Sequence, residues 1–309
     1  MEKNSRKPSV LVTGASGMLG KALVKLLSAD HEAFGISKRG LSGFHRCDLS
    51  VEKEVEAAFR SAKPALVIHT AAYSDVDGCE RDPQLAFESN VLASKHLAQA
   101  CAKHGVPWIY VSTDYVFDGR KRTPYAENEA TGPVNIYGMT KWCGEYYALN
   151  GPVHSASVRT SWLFGAENPA NFVNAILERL RKEKTVSVLD DQTDSPTYVK
   201  DLSLALLKIG QHLMALQAKD PVHPVHEVFH VCNTGAATRL EMTQHMKEWL
   251  KLDVTVEKAD KSQIKNRLAI RPAYVVMSTK RYEQFSGQKM RPWQESLKEY
   301  VTEGVPCAS

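Results

Sequence analysis

The chain has 309 residues, 43% of them hydrophobic and 24% charged, with a formal net charge of +4 from 39 basic and 35 acidic side chains. That length fits a large domain with a smaller one attached, and it can bury enough surface to fold without disulfides. The slight basic excess gives no support to nucleic-acid binding. No apolar run approaches the length of a membrane span, and the polar, basic stretch Met1 to Ser9 has no secretory h-region, so no membrane partner and a cytoplasmic location are expected.

In chain order, Val10-Leu11-Val12 reads as a short buried strand, followed by Leu19, Leu23, Leu26 and Leu27 at helical spacing. Ala33 to Ile36 reads as a second strand, Val51, Val55 and Phe59 as a helix face, and Leu66-Val67-Ile68 as a third strand. A helix is expected from about Pro83 to His104, then a strand at Trp108 to Val111. Apolar strands without alternation, separated by helices, predict an α/β fold with a doubly wound parallel sheet of Rossmann type. After about Val158 the strands become isolated and the loops lengthen, which predicts a smaller α/β substrate-binding domain. The expected division is residues 1–160 for the dinucleotide and 161–309 mainly for the substrate, with about 202–231 returning to the first sheet.

The six cysteines are scattered singly, without CxxC or Cys/His metal spacing, so reduced thiols and no metal site are expected. His223-Pro224-Val225-His226-Glu227 has two histidines near a carboxylate, but Pro224 denies it the helical context of an H-E-x-x-H site; a loop before the strand Val228 to Val231 is the expectation.

Gly14-Ala15-Ser16-Gly17-Met18-Leu19-Gly20 joins the first strand to the first helix with G-x-x-G-x-x-G spacing. Such a loop lets backbone approach a pyrophosphate at a helix N-terminus. The second strand ends in Ser37-Lys38-Arg39 where an acid would bind the ribose 2′-OH of NAD. A hydroxyl and two cations suit a 2′-phosphate, so NADPH is expected, with NADH left open. Asp48, before Leu49, can accept from an adenine amino group or cap the next helix.

Tyr137 and Lys141 stand at i and i+4 and share one helix face. A nearby lysine, together with the positive nicotinamide ring, favours phenolate and is expected to lower its pKa. Such a phenol can donate a proton to a carbonyl as hydride arrives. Ser112-Thr113-Asp114-Tyr115 closes a buried strand, at the end where open α/β sheets bind ligands, and either hydroxyl can reach a substrate oxygen.

Together, Gly14/Gly17/Gly20, Ser112 to Phe117 and Tyr137-x-x-x-Lys141 resemble the extended short-chain dehydrogenases/reductases, and within them the dTDP-4-dehydrorhamnose reductase family. Further matches are Ala71-Ala72-Tyr73, Asn90, Arg159 to Trp162, Asp191-Gln192 and Arg271-Pro272. The resemblance implies reduction of the C4 keto group of a nucleotide-linked 6-deoxy-4-keto-hexose by NADPH. It assigns Tyr137 as proton donor, Thr113 as a second donor to the same oxygen, and Lys141 to the nicotinamide ribose. Ala71, Ala72, Tyr73 and Asn90 would lie along the cofactor, and Asp114, Tyr115, Trp162, Gln192 and Arg271 along the substrate. A homodimer is compatible with it. The chain departs from the family at Asp194, where glycine is usual, and at Tyr274, where asparagine is usual. A carboxylate at Asp194 must turn from the ligand or meet a cation. Two rivals remain open. One is a reductase or epimerase of another nucleotide sugar. The other is a partner-binding protein like the regulatory β subunit of methionine adenosyltransferase, which resembles the same family.

Overall fold

Short runs of apolar residues buried on both faces become strands, and the amphipathic runs between them become the helices that cover the sheet. The computed structural model describes residues 7–168, 171–260 and 267–304. The first half holds β1 (Ser9–Thr13), α1 (Met18–Leu27), β2 (Glu32–Ser37), β3 (His45–Arg46), α2 (Glu52–Ala62), β4 (Leu66–His69), α3 (Val76–Arg81), α4 (Pro83–Ala86), α5 (Ala93–His104), β5 (Trp108–Thr113), α6 (Ile136–Leu149) and β6 (Ser155–Thr160). Then come β7 (Leu163–Phe164), α7 (Phe172–Lys182), β8 (Thr185–Val188), β9 (Thr197–Tyr198), α8 (Val199–Lys219), β10 (His226–His230), α9 (Arg239–Trp249), β11 (Thr255–Lys258), α10 (Lys280–Ser286) and α11 (Trp293–Glu299).

Seven strands form one parallel sheet in the order β10-β6-β5-β4-β1-β2-β3. The chain winds outward from β1 through β2 to β3, then returns to β4 on the other side of β1. That reversal opens a crevice beyond the strand ends. One face packs Val10, Leu66, Ile68 and Ile109 against Leu23 of α1 and Leu202, Leu206 and Ile209 of α8. The other packs Leu11, Val67 and Trp108 against Val55 and Phe59 of α2 and Leu97 of α5. The segment from Leu202 to Val231 thus lies on the main sheet, with α8 as its cover and β10 paired to β6.

A second core joins α7, α9 and the parallel pair β8–β11, with Ile176, Leu177, Val186 and Met246 inside it. Leu297, Tyr300 and Val301 are buried there.

The helix expected over Pro83 to His104 is not uniform. Between α4 and α5, Phe87–Leu92 forms a π-helical segment. Asn90 sits in it, and its side chain clamps Tyr73 by both backbone groups: Oδ1 accepts from Tyr73 N at 2.8 Å and Nδ2 donates to Tyr73 O at 3.1 Å. The π turn is the local adjustment that accompanies this inward asparagine. In the histidine-containing loop, His223 bonds Asp220, while His226 opens β10 and bonds Ser155, so the strand begins two residues before Val228. Among the described residues no group of acidic, histidine and cysteine side chains is placed to hold a metal, and no helix is long and apolar enough to cross a membrane. Cys47, Cys79, Cys101, Cys143 and Cys232 are free thiols; Cys307 lies outside the described residues.

Candidate active site

A cavity of about 930 Å³ follows the crevice from β2 to α9. At one end it is lined by Ser37, Lys38, Arg39, Asp48 and Leu49, in the middle by Gly14, Ser16, Gly17, Met18, Leu19 and Gly20, and beside them by Ala71, Ala72 and Tyr73. Gly14 has φ +63°, and a Cβ there would stand 2.7 Å from Ala71 Cα, so the turn admits only glycine. α1 then starts without a side-chain cap and without an acid in its first turn, leaving its amides for an anion.

The β2 end fits a 2′-phosphorylated dinucleotide. Ser37 Oγ is enclosed without a partner, next to Lys38 and Arg39. Asp48 is neither a helix cap nor free: it accepts from Ser50 N at 3.0 Å and from Ser50 Oγ at 2.7 Å, and pairs with Lys38 at 3.0 Å. Asn90 does not line this cavity. Besides holding Tyr73, it donates to Thr140 at 2.9 Å and so braces the loop against α6.

Tyr137 and Lys141 enter the cavity from the first turns of α6. Asn135 caps that helix, accepting from Gly138 N at 2.7 Å and donating to Ile270 O at 2.8 Å. Gly138 lets α6 press on the end of β5, since a Cβ there would lie 2.2 Å from Tyr115 O. The contact sets the Tyr137 phenol beside Thr113, whose side chain works against the rise in the phenol's pKa. Ser112 is different: its Oγ is enclosed and unpartnered. Of the two hydroxyls offered by the sequence, Thr113 is the one that acts on the phenol.

Lys141 does not lower the pKa of Tyr137 here. The ammonium donates to Val111 O at 2.8 Å and lies 4.3 Å from the centre of the Tyr110 ring. Burial pushes it down to about 7, opposed by Glu145. Burial raises the Tyr137 phenol above its ordinary value, the Thr113 bond opposing and Asp114 adding to the rise. The phenol is therefore held protonated.

Below Thr113 lies a second proton-bearing group. Thr113 Oγ1 donates to Asp114 Oδ1 at 2.8 Å and accepts from Tyr115 N at 3.2 Å. Asp114 Oδ2 and Asp194 Oδ2 are both enclosed without a donor, and the two carboxyls are within hydrogen-bond reach of each other. One shared proton satisfies both. Burial raises both carboxyls above the usual range, and for Asp114 repulsion by Asp194 adds to it. Asp194 already accepts from the Ser161 hydroxyl, and from Ser195 N at 2.7 Å, so its charged form is the better supported and Asp114 is the carboxyl raised further. The family departure at Asp194 is thus resolved by a carboxyl that turns inward.

Tyr115 and Trp162 line the cavity on the far side of Tyr137, with Arg271 at its edge. Tyr115 meets Tyr137 edge-on, centroids 5.9 Å apart. Gln192 does not line the cavity; it donates to Tyr115 OH at 2.9 Å and accepts from Arg267 at 3.2 Å, so it orients Tyr115. Arg271 is held in a fork by Asp77, at 3.1 and 2.8 Å. The basic run Arg120 to Arg122 takes no part in the cavity: Lys121 bonds Glu129, and Arg120 pairs with Asp118.

Several cavity residues escaped the sequence reading, and the charged one among them is Arg239. Arg239, the first residue of α9, lines the cavity between Trp162 and Phe172, its guanidinium 5.2 and 5.0 Å from their ring centres. A signal was present: Thr238-x-x-Glu241 is a capping box, so Arg239 falls in a first turn, where the helix dipole disfavours a cation.

A family model described as RmlD substrate binding domain matches residues 8–305. The dTDP-4-dehydrorhamnose reductase of Streptomyces griseus is 36% identical over 294 residues, covering 95% of this chain and 93% of the relative. A Streptomyces antibioticus protein, named a probable dTDP-4,6-dihydroxy-2-methyloxan-3-one 4-ketoreductase, is 32% identical over 94% of this chain and 93% of its own length. Among solved structures, dTDP-4-dehydrorhamnose reductase from Bacillus anthracis in complex with NADP matches with a TM-score of 0.84 at 29% identity, covering 96% of this chain and 99% of that one.

Proposed function

This chain belongs to the RmlD substrate binding domain family, within the extended short-chain dehydrogenases/reductases, and on that footing we propose that it is an NADPH-dependent reductase of a nucleotide-linked 6-deoxy-4-keto-hexose, converting dTDP-4-dehydro-L-rhamnose to dTDP-L-rhamnose. The observation that carries the reading is that Tyr137, Thr113 and Lys141 line the same cavity as the glycine loop.

NADPH supplies the hydride when bound. Its 2′-phosphate would lie against Ser37, Lys38 and Arg39, and its pyrophosphate on the amides that open α1. Lys141, fixed beside Val111, would meet the nicotinamide ribose. Reduction of a ketone leaves an alkoxide that needs a proton, and a phenol held protonated by its surroundings is suited to give one. Tyr137 gives that proton. Thr113 lines the cavity beside Tyr137, and its hydroxyl, turned from Asp114 Oδ1, would donate to the same oxygen and favour the charge that develops there. The carboxylic acid at Asp114 keeps a fixed negative charge away from that oxygen, so the alkoxide forms beside a neutral group.

The test compares wild type with Tyr137→Phe, following NADPH oxidation with freshly prepared dTDP-4-dehydro-L-rhamnose. We expect kcat to fall by about a hundredfold or more in the variant, with NADPH affinity unchanged. A wild type that binds NADPH but never oxidises it with this sugar would overturn the substrate; turnover with a different nucleotide sugar would then identify the right one. Recovery of a synthetase catalytic subunit in a pull-down, together with no turnover of any such sugar, would favour the regulatory reading.

A further inference from the structure

The cations around the cavity differ in what already engages them. Lys38 pairs with Asp48, Lys141 donates to Val111 O, and Arg271 is forked by Asp77. Arg267, just behind the wall, is paired with Asp191. Arg239 has no ion pair among the described residues. Its Nε is enclosed without an acceptor, as is Nε1 of Trp162 beneath it. The carboxylate of Asp194 acts on Arg239 only at longer range, because Ser161, Ser195 and Asp114 engage it.

The position is built. Asp194 and Ala237 exchange backbone bonds at 3.0 and 2.9 Å, which anchors the loop before α9. Thr238 and Glu241 complete the capping box, with bonds of 2.7 and 3.2 Å, and fix where the helix begins. Trp162 and Phe172 then hold the guanidinium and shield it from water. A cation placed in a first turn, partly desolvated and without a counterion, is a cost to the folded chain. It is repaid when an anion enters.

We propose that Arg239 binds the diphosphate of the nucleotide sugar and makes the site selective for nucleoside diphosphates over nucleosides. This deepens the reductase reading and rests on it for the identity of the ligand. A guanidinium presents a planar pair of donors that matches two phosphate oxygens, which an ammonium does not. The assignment puts the two anionic ligands at opposite ends of one cavity: the cofactor phosphate at Lys38 and Arg39, and the sugar-linked diphosphate at Arg239.

The experiment titrates dTDP, and separately thymidine, into NADPH-loaded wild type, Arg239→Gln and Arg239→Lys by calorimetry, alongside steady-state kinetics. We expect Arg239→Gln to weaken dTDP by about 10- to 100-fold, with thymidine and NADPH affinities unchanged. KM for the nucleotide sugar should rise more than kcat falls, and Arg239→Lys should recover part of the dTDP affinity. Wild-type dTDP affinity in Arg239→Gln would overturn the proposal. So would an equal loss of dTDP and thymidine, which would mark Arg239 as a support for the wall. Arg239-dependent dTDP binding by an enzyme that turns over no 4-keto sugar would sustain the diphosphate site while sinking the reductase reading.

Discussion

Asp114 and Asp194 show how a buried acid pair ties this site to pH. Each carboxyl has its pKa raised on folding, so between the unfolded and the raised folded values the folded pair holds a proton that the unfolded chain has released. The resulting contribution to stability is complete below the unfolded carboxylate value of about 4 and is lost as pH climbs toward the raised folded values. Asp194→Asn replaces the shared proton with an amide donor. We expect the variant to gain on wild type in unfolding free energy by up to about 1.4 kcal/mol per pH unit across that interval, measured by urea unfolding at mildly acid and neutral pH. Equal pH dependence in the two proteins would show that the pair holds no extra proton. The individual residues were unevenly legible. Tyr137, Lys141, Thr113 and the glycine loop could be read because their chemistry depends on local spacing. Arg239 could not, because its meaning comes from Trp162 and Phe172, which reach it only through the fold. The surroundings of Tyr137 were illegible for the same reason: sequence spacing gave the phenol a lysine neighbour but said nothing of burial or of the Val111 carbonyl that takes the ammonium.

At the scale of elements, α6 does most to order the site, and its beginning is fixed from outside. Asn135 supplies the cap to Gly138 and also reaches Ile270 in the distant second half. Asn135→Ala should cost about 1–2 kcal/mol of stability. It should also lower kcat, since Tyr137 stands in the turn that frays; chemical denaturation and initial rates check the two effects. An unchanged rate in a destabilised variant would show that Tyr137 is held by Thr113 alone. The alternation of strands and helices was plain from apolar periodicity. The π segment Phe87–Leu92 was not, because a 3.6-residue period runs through it without a break, and only the inward clamp of Asn90 on Tyr73 distinguishes it.

The whole molecule is fastened by contacts that span most of the chain. Asp77 accepts from Arg271 and from the amides of Leu268 and Ala269 at 2.9 and 3.0 Å, binding α3 to the segment that edges the cavity. Burial opposes its ionisation, but the Arg271 fork and these amides together hold the carboxyl below its usual range. Its contribution is therefore present above an unfolded value of about 4 and fades as pH falls through the lowered folded one. Asp77→Ala should cost about 2–3 kcal/mol at neutral pH, less in acid, and should raise KM for the sugar by releasing Arg271; thermal unfolding across pH and steady-state kinetics report both. The parallel sheet could be foreseen from the sequence, whereas these fastenings are single polar residues far apart in the chain, and no periodicity announces them. The position of α8 has a consequence for how the protein is made. Strands β1, β4 and β5 leave the ribosome early, yet one of their faces is closed by Leu202, Leu206 and Ile209. A growing chain therefore carries an apolar sheet face that only α1 covers until about two thirds of it has been synthesised, and β10 must then add to the edge strand β6. During that interval the nascent chain is a natural client for a chaperone that shields hydrophobic surface.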